Sequence, residues 1–429
     1  MMKKYALILL MAAITLSACN NDEPAIPGLG PANQENKENP DNPDPSIPEE
    51  AWTRFESISL TEQQQAMGKK LKSFSWDLFN ETFQLKNQGE NILISPFSLN
   101  VDLAMLLNGL DEESFKKLRS TMNLQDYSLA DINTYFNTMV AGLSQDDKHA
   151  VFKSANSFWY ANQYKAVESF TKAIGDFYKA EIKPVDFSKQ STVDAINQWC
   201  SDKTDKRIPK LLEQTSSLDL FHLINAIYFY GKWESKFDKS KTKKEPFNYA
   251  SGSKEDIDMM YKHAEMYVSE TDALECITFD FNSFSFNMTF ILPKKGHSIS
   301  DAIESYKKDP LKGELYDLQL WLPKFEAEYT IKTLPYALNN INPQLNFAGL
   351  GVNMLQNMPN TKGGDILQKT YIKVDEEGVE AAAVTDILWA GANMHEPPQP
   401  RELRFDRPFF YFINERSTGT PVFMGYYGR

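Results

Sequence analysis

Five histidines, His149, His222, His263, His297 and His395, are the side chains of this 429-residue chain best suited to proton transfer or metal binding near neutral pH. Their spacing supports neither role. They sit in separate neighbourhoods, without the grouping that a zinc centre needs. His395-Glu396 runs into Pro397-Pro398, and proline forbids the helix on which an H-E-x-x-H site is built. No G-x-S-x-G elbow and no G-x-x-x-x-G-K-[ST] loop occurs. Gly349-Leu350-Gly351 and Gly28-Leu29-Gly30 lack the third glycine of a dinucleotide loop and read as turns. The expectation is a protein that is not an enzyme, with no metal and no cofactor.

Residues 376–385, EEGVEAAAVT, raise a different kind of chemistry. Alanine favours helix, yet Gly378 interrupts the run and the following DILWAGANMHEPPQP has no helical period. Alanine is also depleted in strands. Alternate positions divide the stretch cleanly. One face carries Val379, Ala381, Ala383, Thr385 and Ile387, all small or apolar. The other carries Glu380, Ala382, Val384, Asp386 and Leu388, and so holds both charges. Burying a lone carboxylate costs several kcal/mol, so the first face belongs inside and the second in water. Small side chains let a strand enter between two others without overpacking, and Gly378 supplies a free hinge. The segment suits a loop in one state and a strand in another.

The remaining chain must position that segment. Residues 1–18 carry two lysines, a short apolar core and small residues, the pattern of a signal peptide. Leu16-Ser17-Ala18-Cys19 resembles the lipobox of bacterial lipoproteins, which makes Cys19 the expected lipid attachment. Asp22-Glu23 after it resembles the surface-export signal of Bacteroides-type lipoproteins. The expected location is the bacterial outer membrane, facing outward. Residues 19–54, with seven prolines and many Asn and Glu between 20 and 50, read as a disordered tether. One domain is expected over 55–429, because no second break of that composition occurs. Its 42% apolar and 13% aromatic content supports a large core. A net charge of −13 with no basic stripe argues against nucleic acid, and a monomer is expected. Apolar spacing predicts helices over 62–86, 168–180 and 190–200, and a buried helix over 101–110. Short apolar runs predict strands at 91–100, stopped by Ser95-Pro96, at 220–230, 274–293 and 318–325, and a C-terminal hairpin. Cys200 and Cys276 could pair in an exported protein, but the reading favours two buried thiols.

Several segments, taken in order, resemble the serpin family of protease inhibitors over nearly all of the folded region. NILISPFSLNVDLAMLLNGL at 91–110 is similar to the family's shutter segment, with Ser95, Pro96 and Ser98. LINAIYFYGKWESKFD resembles its N-x-x-x-F-x-G-x-W strand. That likeness puts Asn225 in the shutter and Trp233 at the breach, the top of the main sheet. LWLPKF at 320–325 and PVFMG at 421–425 are further landmarks. VDEEGVEAAAVT resembles the hinge, here Glu376, Glu377, Gly378, Val379, Glu380, Ala381, Ala382 and Ala383.

The resemblance implies an α+β serpin fold, with three β-sheets, about nine helices and an exposed reactive-centre loop over about 376–403, whose cut end inserts into the main sheet as a new strand. It implies a suicide substrate that traps a serine protease as a covalent complex. The family's usual spacing from Glu376 puts the cut between Ala392 and Asn393, with Met394–His395 as runner-up. Ala392 after Gly391 suits an elastase-like pocket. No Lys or Arg lies between Lys373 and Arg401, which disfavours trypsin-like targets. Three features depart from the family: Val379 where Thr or Ser is usual, Gln368 where the shutter commonly has histidine, and a longer C-terminal part of the loop. A non-inhibitory serpin-fold binding protein and an inhibitor of cysteine proteases are the alternatives.

Overall fold

The structure is a computed structural model and describes residues 57–86, 89–144, 150–309, 311–357, 364–379 and 398–428. Cys19, the tether, Glu380–Ala383 of the hinge and the bonds Ala392–Asn393 and Met394–His395 lie outside the described residues.

The first helix, Glu62–Gln84, starts at a reciprocal cap in which Thr61 and Gln64 satisfy each other's backbone N–H groups. Met67, Leu71, Phe74 and Leu78 bury its inner face. The second helix, Pro96–Leu107, is buried along its whole length, as a helix apolar on all sides must be. Ser95 caps it, and Pro96 takes the first turn, where a missing N–H costs nothing. Eight α-helices among the described residues surround three sheets. The helices at Glu112–Thr121, Leu129–Leu143, Ile299–Lys308 and Leu334–Ile341 add to those expected from the sequence.

A nine-stranded sheet contains the C-terminal hairpin Phe409–Glu415 and Thr420–Tyr427, flanked by Ile92–Ile94 and Phe286–Pro293. Its other end is formed by Lys254–Glu270, Lys312–Pro323 and the edge strand Gln399–Arg404. A six-stranded sheet runs in the order Phe325–Thr330, Gly364–Val374, Gly378–Val379, Phe221–Lys232, Ala150–Ala161, Glu181–Val185. A two-stranded sheet pairs Leu355–Gln356 with Lys165–Ala166. The Pro96–Leu107 helix packs on both Phe221–Lys232 and Thr420–Tyr427, joining the two large sheets through one core.

Cys276 belongs to this main core. Cys200 lies in a second cluster, with Trp159, Phe187 and Trp199. Both thiols are free and buried, and burial pushes each up to about 12. A thiol reagent at pH 7.5 should therefore leave both unmodified in the folded chain and label both after denaturation. Labelling of the native protein would contradict the burial.

Candidate functional site: the opening in the six-stranded sheet

The central strands Phe221–Lys232 and Gly364–Val374 run parallel and pair directly over six register positions, from Gly364 opposite Phe221 to Lys369 opposite Ala226. Above that they separate. At Asp375 the chain turns back: Asp375 N–H donates to the Gly378 carbonyl at 2.9 Å, and Glu377 N–H to Asp375 Oδ1 at 3.0 Å. Gly378 and Val379 then lie between the two strands, antiparallel to both. Val379 stands opposite Val374 on one side and Gly231 on the other, and Gly378 faces Lys232. Glu376, Glu377, Gly378 and Val379 are all buried, and Val379 is part of the main core.

Position 378 admits only glycine. Its φ is +154°. A Cβ there would stand 2.1 Å from the Gly231 carbonyl oxygen and 2.8 Å from Lys232 Cα. Trp233 secures the same turn. Its backbone N–H donates to the Glu377 carbonyl and its indole Nε1 to the Asp375 carbonyl, both at 3.0 Å. The ring stacks on Phe281 at 4.9 Å between centroids.

The two hinge glutamates are clamped by cations. Glu376 accepts from Lys324 Nζ at 2.8 Å and from Thr242 Oγ1 at 2.7 Å. Glu377 pairs with Lys239 Nζ at 2.8 Å and Lys236 Nζ at 3.3 Å. Burial pushes both carboxyls up, but these hydrogen bonds and charges outweigh it and hold both below the usual glutamate value of 4.5. A depressed carboxyl stabilises the docked hinge at pH values above 4.5, and that contribution is lost as pH falls through the depressed value. Acidification below 4.5 is therefore expected to release the hinge. Amide protection at Trp233 and Phe237, which donate to the Glu377 and Glu376 carbonyls, should fall relative to intrinsic exchange. Lys324→Met should cause the same loss at neutral pH. Unchanged protection in both cases would refute the clamp.

Beneath the opening, Gln368 grips the cap of the buried helix. Its Oε1 accepts from Ser95 N–H at 2.9 Å and its Nε2 donates to the Ser95 carbonyl at 3.1 Å. Ser95 Oγ accepts from Ser98 N–H, while Ser98 Oγ, fully buried, has no hydrogen-bond partner. Asn225 stands opposite Gln368 in register, but its amide turns to the next strand and donates to Ser154 Oγ at 3.0 Å and to Asn156. The residues that the resemblance assigns to the shutter thus lie together, with Gln368 joined to Ser95 and Asn225 joined to Ser154 and Asn156. Gln368→Ala would leave the buried Ser95 N–H without its partner, at a cost of about 1–3 kcal/mol, while the Ser95 carbonyl keeps its bond from Leu99 N–H. The expected result is a lower thermal midpoint and faster spontaneous conversion to a form with the strand inserted, read by thermal unfolding and native gels.

Sequence reasoning missed several members of this site. Thr370, two residues from Gln368 and so on the same strand face, donates to the Leu93 carbonyl at 2.6 Å and adds a second clasp. Alternation from Gln368 could have found it. The four hinge partners come from two distant stretches, Lys236–Thr242 and Lys324; Lys236 and Lys324 fall within segments quoted above as landmarks, but no local signal directs any of the four to Glu376 or Glu377. Among the described residues, no three His, Cys, Asp or Glu gather as a metal site would require.

The six-stranded sheet is open at one end, and Gly378 and Val379 are seated in the gap between its two central strands. Residues 69–428 match the family model described as serpin (serine protease inhibitor), and the chain belongs to that family. It is 28% identical over 377 residues to a serpin-like protein of Thermococcus kodakarensis, covering 85% of each chain. It is also 28% identical over 373 residues to leukocyte elastase inhibitor A of Mus musculus, covering 80% of this chain and 95% of that one. Among solved structures, the thermophilic serpin tengpin in its native state superposes with a TM-score of 0.75 at 27% identity, covering 87% of this chain and 96% of that one.

Proposed function

We propose that this serpin inhibits serine proteases of elastase-like preference as a suicide substrate. The observation that carries the reading is the seating of Gly378 and Val379 between the two central strands, with Val379 in the core. If the observed register is continued downward, Trp389 comes to lie opposite Phe221, the last residue at the foot of that strand. The bond Ala392–Asn393 then falls just beyond the sheet, the right length for a protease acylated on Ala392 to be carried from one end to the other. The twelve residues of Phe221–Lys232 span about 36 Å. About ten new backbone hydrogen bonds on each side, near 1 kcal/mol each and less those broken between Phe221–Ala226 and Gly364–Lys369, would drive the insertion.

The inward face of the segment, Val379, Ala381, Ala383, Thr385 and Ile387, supports its burial, and the outward face keeps Glu380 and Asp386 in water. Ala392 and the relatives named as leukocyte elastase inhibitors support an elastase-like target. The lipobox-like end at Cys19 supports a lipid anchor on the bacterial outer membrane, from which the tether would hold the folded body. Mass spectrometry of the mature chain tests that anchor.

The test of insertion is a thermal one. The full chain is nicked in the loop by elastase, and unfolding is compared before and after. Insertion predicts a nicked form that unfolds well above the native one, with a released fragment starting at Asn393. A start at His395 would move the bond and keep the mechanism. No gain in stability would favour the non-inhibitory binding protein.

A further inference from the structure

The foot of the six-stranded sheet carries a cavity of about 460 Å³ whose lining includes neither hinge nor shutter residues. Its two walls belong to different halves of the sheet. One wall is Lys210–Glu213. Leu211 and Leu212 N–H both donate to Asn197 Oδ1, at 2.7 and 2.9 Å, and Asn197 Nδ2 donates to the Leu212 carbonyl at 2.9 Å. Asn197 lies on the helix Gln190–Lys203, which packs on Phe221–Lys232 and Ala150–Ala161. The other wall is the lower part of Gly364–Val374, together with residues 330–335, which run on from the neighbouring strand Phe325–Thr330. The seam between Phe221–Ala226 and Gly364–Lys369 therefore separates the walls. Lys369 Nζ reaches from one to the other and donates to the Lys210 carbonyl at 2.8 Å. In the lining, Leu334 and Ile366 are buried, and Leu211 and Leu367 are half-buried. Three lysines stand against two carboxylates there. Lys210 pairs with Glu213 at 3.3 Å and Lys369 with Glu328 at 2.6 Å. Asp365 stands opposite His222 in register. Lys332 is exposed and, among the described residues, has no carboxylate partner.

Apolar cavities of about 300–1,000 Å³ with a few placed charges are the usual form of a small-molecule site. We propose that this cavity binds a small single-chain organic anion, with its hydrocarbon against Leu211, Leu334, Ile366 and Leu367 and its carboxylate on Lys332. The surplus of lysine over carboxylate selects the sign of the ligand, and Lys332 is the cation free to receive it. The position of the site gives the ligand a consequence, which rests on the inhibitory reading above. A strand inserted at the seam moves the two walls apart by one strand spacing, about 4.8 Å. Apolar groups touch only within about 4.5 Å, so a molecule that fills the cavity in the closed sheet loses one wall when the sheet opens. A ligand shifts an equilibrium by its difference in affinity for the two states. This ligand favours the closed sheet, and the occupied inhibitor inserts its loop more slowly than the empty one.

The test titrates the full chain with sodium dodecanoate, kept below its micelle concentration, and reads binding by calorimetry on the native form and on the form nicked by elastase. The proposal expects one site per native chain, and at least tenfold weaker binding to the nicked form. Lys332→Glu and Leu211→Ser should each weaken binding to the native form at least tenfold, with thermal midpoints near wild type in the absence of dodecanoate. Dodecyltrimethylammonium, with the same chain and the opposite charge, should not compete. No saturable binding, binding that both variants leave within twofold of wild type, or equal competition by the cation would overturn the site. Equal affinity for the native form and for a nicked form of raised thermal midpoint would overturn the preference for the closed sheet. A nicked form with no rise in midpoint would overturn the inhibitory reading, and binding to the native form would then test the cavity by itself.

Discussion

If the chain traps proteases as proposed, Gly378→Ala is expected to turn it into a substrate. The added methyl would stand 2.1 Å from the Gly231 carbonyl oxygen, which belongs to the strand backbone and has no rotamer by which to move away. The clash would persist on insertion wherever the inserted strand keeps the observed register of Gly378 opposite Lys232. Alanine also resists the backbone angle of +154° at this position. The loop would still be cut, but it would not enter the sheet before the protease hydrolysed its acyl bond. Val379→Asp should do the same by another route, since it places an unpaired carboxylate where Val379 is fully buried, at a cost of several kcal/mol. Both variants should consume many inhibitor molecules per protease and give little covalent complex. Full trapping by either one would mean that insertion does not begin at this gap.

Asp102→Ala is expected to stabilise the protein. Asp102 lies on the buried helix Pro96–Leu107, fully buried, and neither carboxyl oxygen has a hydrogen-bond partner. One turn before it, Ser98 Oγ is likewise unpartnered. Burial pushes the Asp102 carboxyl well above the usual range. The folded chain keeps this proton while the unfolded chain releases it above 3.8, so the group costs stability increasingly as pH rises from there to the folded value. Each pH unit in that window costs about 1.4 kcal/mol. Removing the orphan carboxyl recovers this cost and the desolvation of about 1–3 kcal/mol, less the small cavity left behind. The midpoint difference between Asp102→Ala and wild type should be positive at pH 7 and shrink towards pH 4. A destabilised variant, or a difference independent of pH, would show that Asp102 has a partner.

Much of the fold was legible because its signals are local. The spacing of Met67, Leu71, Phe74 and Leu78 marks the first helix, and Ser95-Pro96 marks the change from strand to helix. The aromatic run before Glu415 and the apolar run after Thr420 mark the hairpin. Alternation in 376–387 pointed Val379 inward, but not that Glu376 and Glu377 would be buried. Two carboxylates read as solvent-facing until four side chains from distant segments are brought to them. The resemblance put Gln368 in the shutter with Ser95 and Asn225. Gln368 grips only the Ser95 backbone, because a parallel neighbour at that register leaves Asn225 free to bond across to Ala150–Ala161. Asp102 was read as part of a buried helix without notice of its charge. Side-chain period alone does not say that a polar residue on an apolar helix lacks a partner.

The most direct measurement of the central claim is a denaturing gel of the full chain mixed with elastase. The account predicts a band at the summed mass that survives boiling, because the acyl bond between Ala392 and the protease serine is caught before hydrolysis. Clean cleavage without such a band, by elastase and then by chymotrypsin and subtilisin, would contradict it and leave a serpin that is cut but does not trap.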